Sequence, residues 1–143
     1  MELLIKSIWD AIKHVPVKDT YAIRIWASWS HNQEEYPLKK GYRHVAEYTF
    51  DDLEPGWEEK GDAMFTEDIA GKILEDFEKN SKGCEALLVH CSRGINRAPA
   101  VAIALNSVYN LGNDDNELKN NYPKSNWYIH NTIKRVAQRW GKI

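Results

Sequence analysis

The sequence predicts a single compact α/β domain over residues 1–143, with a mainly parallel central sheet flanked by helices. Three observations carry that expectation. Segments patterned as strands alternate with segments of helical period, as βα units do. Ala86-Leu87-Leu88-Val89 is a short continuous apolar run, the mark of a strand covered on both faces. The chain has 143 residues, 43% of them apolar, which is room for one core rather than two and too apolar for disorder.

Each element has its own reason. Leu3 to Ser7 reads as a short first strand, and Ser7 with Asp10 forms a capping box for a helix through about His14. A single longer helix over Leu4, Ile5, Ile8, Trp9 and Ile12 competes with that reading, and Pro16 ends either. Tyr21 to Ala27 alternates as a strand, with Tyr21, Ile23 and Ile25 on one face and Arg24 on the other. Residues 28–44 are a polar loop carrying Lys39, Lys40, Arg43 and His44, and Val45 to Phe50 is the next strand. Thr66 caps a helix whose apolar stripe is Ile69, Ile73, Leu74 and Phe77, stopped by Asn80 to Gly83. Pro99 stands near a helix start, where its missing N–H costs nothing. That helix runs to about Leu111 and ends at Gly112. Asp114 caps a short helix, and Ile129, Ile133, Val136, Ala137 and Trp140 give the last one its buried face.

Charge and cysteine usage narrow the function classes. Nineteen Lys and Arg against 21 Asp and Glu leave a net charge of −2, so no nucleic-acid partner is expected. Two cysteines cannot build a disulfide scaffold, which suits a reducing cytoplasm. Glu2 and Lys6 bracket only Leu3-Leu4-Ile5, so no signal peptide is predicted. No uncharged run reaches the roughly 20 residues that span a bilayer, so no membrane association is expected. Acids crowd residues 51–68, and residues 119–143 hold cations without an acid. These read as two solvated faces or, more sharply, as the acidic lip and basic rim of a cleft.

The segment that carries chemistry is His90-Cys91-Ser92-Arg93-Gly94-Ile95-Asn96-Arg97. Cys91 falls at the C-terminal end of the buried strand, where open α/β sheets bind ligands. From Ser92 to Arg97 the chain can curl with its N–H groups inward, Gly94 permitting positive φ or close approach. The following helix aims its N-terminus at the same point, and Arg97 supplies a fork matched to two phosphate oxygens. The result is a cradle for a tetrahedral anion with a sulfur at its floor. A thiol in such a field ionises readily, so Cys91 is the expected nucleophile. His90 reads as a neighbour that organises the loop or as a satisfied core histidine. Cys84 lies too far along an extended strand to pair with Cys91 and reads as structural.

His90-Cys91-x-x-Gly94-x-x-Arg97 resembles the signature of the cysteine-based protein tyrosine and dual-specificity phosphatases. The resemblance runs from about Tyr21 to Gly112 and is greatest to compact bacterial predicted tyrosine phosphatases. It implies a cysteine-phosphatase-like fold of the phosphotyrosine protein phosphatase II type. It also implies a phosphorylated protein or peptide substrate and a cysteinyl-phosphate intermediate, with no metal and no cofactor. Loop amides of Ser92, Arg93, Gly94, Ile95, Asn96 and Arg97, with the Arg97 guanidinium, would then hold the phosphate. An aspartate after Phe50 would be the general acid: Asp52 first, Asp51 as the alternative and Asp62 a distant third. Trp57 is a candidate lid anchor or a packing residue. The resemblance assigns no oligomeric state.

One residue departs from the family pattern. Ala98 stands where Ser or Thr usually hydrogen-bonds the departing thiolate, so breakdown of the intermediate is expected to be slow unless Ser92 or Asn96 compensates. This keeps two alternatives in view. One is a weakly active phosphate-binding module that docks phosphorylated partners. The other is a phosphoinositide or RNA 5′-phosphatase using Arg93, Lys39, Lys40 and Arg43.

Overall fold

The computed structural model describes residues 1–29 and 35–143; residues 30–34 of the predicted loop lie outside it. The elements follow in the order β1 (Glu2–Ser7), α1 (Ile8–Lys13), β2 (Thr20–Trp26), β3 (His44–Thr49), α2 (Glu67–Asn80), β4 (Ala86–Cys91), α3 (Arg97–Tyr109), α4 (Asp115–Asn121) and α5 (Trp127–Arg139). The four strands form one sheet in the order β1-β4-β2-β3, and every pairing is parallel. The two central strands, β4 and β2, are buried along their whole length, as a strand covered on both faces requires.

Alternation along the strands sorts residues to two faces. Tyr21, Ile23, Ile25, Leu87, Val89 and Cys91 join the main core with α2, α3 and α5. Ala22 and Leu88 meet Ala11 of α1 in a smaller cluster on the other face. Helix α3 is buried from Arg97 through Asn106, so its apolar surface runs all round rather than down one stripe.

Most boundaries fall where local chemistry put them. Ser7 Oγ accepts from Asp10 N–H and Thr66 Oγ1 from Ile69 N–H, and Asp114 caps α4 through Glu117 N–H. The competing single helix over Leu4 to Ile12 does not form, because Leu3 to Ser7 pairs with Leu87 to Cys91 instead. Two expectations shift. Helix α3 ends at Asn110, which takes the left-handed conformation (φ 51°), before Gly112 is reached. Pro99 lies inside the first turn of α3 rather than at its first residue, where its missing N–H is still harmless. No helix among the described residues is long and apolar enough to cross a membrane.

Candidate active site

Strand β4 delivers Cys91 to the end of the sheet, buried at 2% exposure, and the chain then turns through residues 92–96 into α3. Two backbone donors converge on the sulfur. Gly94 N–H donates to Sγ at 3.2 Å, and Ala98 N–H, in the first turn of α3, does so at 3.4 Å. Convergent N–H groups at a helix N-terminus are the setting that suits an anionic sulfur. Gly94 has φ of +75°, and a Cβ there would come within 2.6 Å of the Lys6 carbonyl carbon and 2.7 Å of Ser7 N. No side chain fits, since the end of β1 forms the wall behind the loop. Ile8 N–H closes that wall by donating to Ser92 O at 3.3 Å.

Arg97 is buried at 6% exposure. One guanidinium nitrogen donates to Phe50 O at 2.8 Å and the other to Ser92 Oγ at 3.1 Å. A guanidinium carries five donors, so these bonds leave donors over for an oxyanion. Arg93 is exposed, and Ser92, Gly94, Ile95 and Asn96 are half-buried. The Asn96 side chain turns away from the sulfur and donates to Lys124 O at 2.7 Å.

His90 is fully buried, and both its ring nitrogens meet partners. Its Nε2 accepts from Arg24 Nε at 2.9 Å, and its Nδ1 lies 3.4 Å from Cys91 O. An Nε2 that accepts leaves the proton on Nδ1, which then faces the Cys91 carbonyl. Burial and the Arg24 charge push the imidazole down to about 4, so it is neutral at physiological pH. Arg24 also donates to Tyr36 O and lies 4.6 Å from the centre of the Trp26 ring.

The two adjacent aspartates have unlike surroundings. Asp51 is buried, and its carboxylate accepts from Ser28 N–H (2.9 Å), Ser28 Oγ (2.7 Å) and Ala63 N–H (2.7 Å). Burial acts to raise its pKa, but these hydrogen bonds and the Arg97 charge outweigh it and hold the group below the ordinary carboxylate value. Asp52 is exposed, and its Oδ1 accepts from Asn126 Nδ2 at 2.8 Å. Asp62 lies farther along, its Oδ2 accepting from Glu59 N–H, and Trp57 is 64% exposed.

Sequence reasoning did not single out Arg24, Ser28 or Asn126. Asn126 is the N-cap of α5, and beyond Asp52 it donates from Nδ2 to Leu53 O at 3.0 Å. Its backbone N–H donates to Asn96 O at 2.9 Å. An Asn just before the apolar period of the last helix was a visible N-cap signal, but nothing in the sequence spacing tied it to residues 52, 53 or 96.

An apolar cavity of about 260 Å³ adjoins the loop, walled by Trp9, Trp26, Trp29 and Tyr36 and reaching Ser92 and Arg93. Lys39 and Lys40 line a different cavity with Arg24 and Tyr42, and Arg43 pairs with Asp19 at 3.3 Å.

No protein-family model matches the chain, and no curated protein does. Among solved structures it is similar to Tk-PTP, a tyrosine phosphatase whose structure is described as the active form. The two are 12% identical and superpose with a TM-score of 0.53, covering 94% of this chain and 92% of Tk-PTP. The chain therefore has a tyrosine-phosphatase-like α/β fold.

Proposed function

We propose that the chain is a cysteine-dependent phosphatase of the compact bacterial type, acting on phosphorylated proteins or peptides. The observation that carries the reading is the convergence on one buried sulfur of the Gly94 and Ala98 N–H groups beside the Arg97 fork. In the first step Cys91 Sγ attacks phosphorus, the S–P bond forms, and the ester P–O bond breaks as Asp52 gives its proton to the leaving oxygen. In the second step Asp52 takes a proton from water, the water oxygen bonds to phosphorus, and the S–P bond breaks to return the thiolate. Loop amides and Arg97 stabilise the equatorial oxygens in both steps.

Asp52 suits the acid role better than Asp51. The Asp51 carboxylate is taken up by three donors and held below its ordinary value, which keeps it ionised and structural. Aromatic walls beside Ser92 and Arg93 favour an aryl ester such as phosphotyrosine. The polyanionic alternative gains nothing from Lys39, Lys40 and Arg43, which face another cavity or Asp19. Two free cysteines suit a reducing cytoplasm as the compartment.

Ala98 favours one second reading, a phosphate-binding module with little turnover. Its N–H reaches Sγ, but it brings no hydroxyl, and the Asn96 amide is committed to Lys124. Rapid-mixing hydrolysis of p-nitrophenyl phosphate separates the two. The phosphatase reading expects a burst and then sustained turnover, both lost in Cys91→Ser. It also expects Ala98→Ser to speed the slow phase about fivefold, the value of one hydrogen bond. Absence of any burst, with inorganic phosphate still binding, would establish the module instead.

A further inference from the structure

We infer that Asn126 is a positioning residue that fixes which oxygen of Asp52 carries the transferable proton; this rests on the acid role proposed for Asp52. The argument starts from an amide whose orientation is not ambiguous. Asn126 Oδ1 accepts from Ile129 N–H at 3.1 Å, a group that can only donate. Its Nδ2 donates to Leu53 O at 3.0 Å, a group that can only accept. Each bond independently excludes the flipped amide.

With Nδ2 so placed, its remaining hydrogen goes to Asp52 Oδ1 at 2.8 Å. The carbonyl oxygen is the better acceptor of a carboxylic acid, so an amide held on Oδ1 favours the tautomer with the proton on Oδ2. An exposed aspartate on a loop would otherwise rotate and carry its proton on either oxygen. The backbone of Asn126 also holds Asn96 O, one residue before Arg97. One residue therefore joins the acid, the start of the following loop segment (Leu53) and the phosphate loop. The position of the acid relative to the bound ester is set through it, and a misplacement of about 1 Å can cost roughly 10²-fold in rate.

A cap and a positioning device can be separated chemically. Asn126→Ser keeps an oxygen acceptor for Ile129 N–H but loses the amide donor. Asn126→Asp keeps the cap as well and sets a carboxylate against Asp52. The readout is the dependence on leaving group, because only a poor leaving group needs the proton. Wild type, both variants, Asp52→Asn and the Asp52→Asn/Asn126→Ser double variant would be assayed on phosphotyrosine peptide and on a difluorinated umbelliferyl phosphate.

The expected result is a 10- to 10²-fold loss of kcat for each Asn126 variant on the peptide and less than about threefold on the activated ester. Each variant should lose some thermal stability with the Leu53 bond but stay folded, affinity for inorganic phosphate should hold, and the double variant should be no worse than Asp52→Asn. If Asp52→Asn shows the selective loss but both Asn126 variants lose activity equally on the two substrates, or lose none, the inference is overturned and the acid assignment stands. If Asp52→Asn shows no selective loss, the acid assignment fails and the inference falls with it. Should Asn126→Ser not fold, Asn126→Asp decides the matter alone.

Discussion

The two loops that meet at Arg97 are built by opposite means. Residues 91–97 are walled chiefly by backbone: strand β4 on one side, helix α3 on the other, and the Lys6–Ser7 peptide close against Gly94. Residues 50–66 add to a few backbone bonds, such as Phe50 N–H to Trp26 O and Asp51 N–H to Ala63 O, a set of side-chain ties from elsewhere. Ser28 bonds Asp51, Asn126 grips Asp52 and Leu53, and Arg97 holds Phe50 O. Backbone fixation tolerates no adjustment, whereas side-chain fixation can be tuned one bond at a time. The loop after β4 is held against a backbone wall, and the proposed acid is held by replaceable ties.

The largest effect should come from breaking the rigid half. Gly94→Ala forces a Cβ into the Lys6–Ser7 peptide at a φ of +75°. Left-handed strain and the overlap together should cost about 3 kcal/mol or more. Urea unfolding of the variant would measure the cost, and binding of inorganic phosphate should disappear with it. Retained binding at wild-type stability would mean the loop is less tightly walled than described.

The floor of the same loop should show a pH signature. His90 titrates at about 4 in the folded chain and near 6.5 when unfolded, so the unfolded state takes up a proton first as pH falls. Stability from this group is whole above pH 6.5 and is lost on descending from about 6.5 to 4, by about 3 kcal/mol in all. His90→Gln keeps an acceptor for Arg24 and should flatten that slope in urea titrations across the window. An unchanged slope would assign it to other groups.

Breaking the tunable half should do less. Asp51→Asn sets an amide NH2 against either Ser28 N–H or Ala63 N–H, breaking that bond, and should cost about 1–2 kcal/mol. Phosphate affinity should stay within about twofold. Because Asp51 is held below its ordinary value, its contribution is full above about pH 4 and fades as pH falls further. The variant should therefore differ from wild type at pH 7 and converge with it in strong acid. A large loss of phosphate affinity would show that the two loops are not separable in this way.

The same contrast explains what the sequence disclosed. The strand-loop-helix junction was legible because its parts are contiguous: an apolar run, a Cys, a Gly and an Arg. Sheet parallelism and most caps followed from local patterning in the same manner. The unlike surroundings of Asp51 and Asp52 were not legible, since adjacent identical residues differ only through Ser28, Ala63 and Asn126, none near them in the chain. Arg24 was placed on the correct strand face, but its bond to His90 depends on β2 pairing with β4. That pairing is a fact of topology rather than of spacing.

The pressing of Lys6 and Ser7 against Gly94 has a consequence for how the molecule comes into being. Those residues are far apart in the chain, and parallel pairing of β1 with β4 is a nonlocal contact, the kind whose closure slows folding. The loop is therefore complete only when an edge strand has docked. A fragment beginning after β1 would carry every residue from His90 to Arg97 and still lack the wall that shapes them.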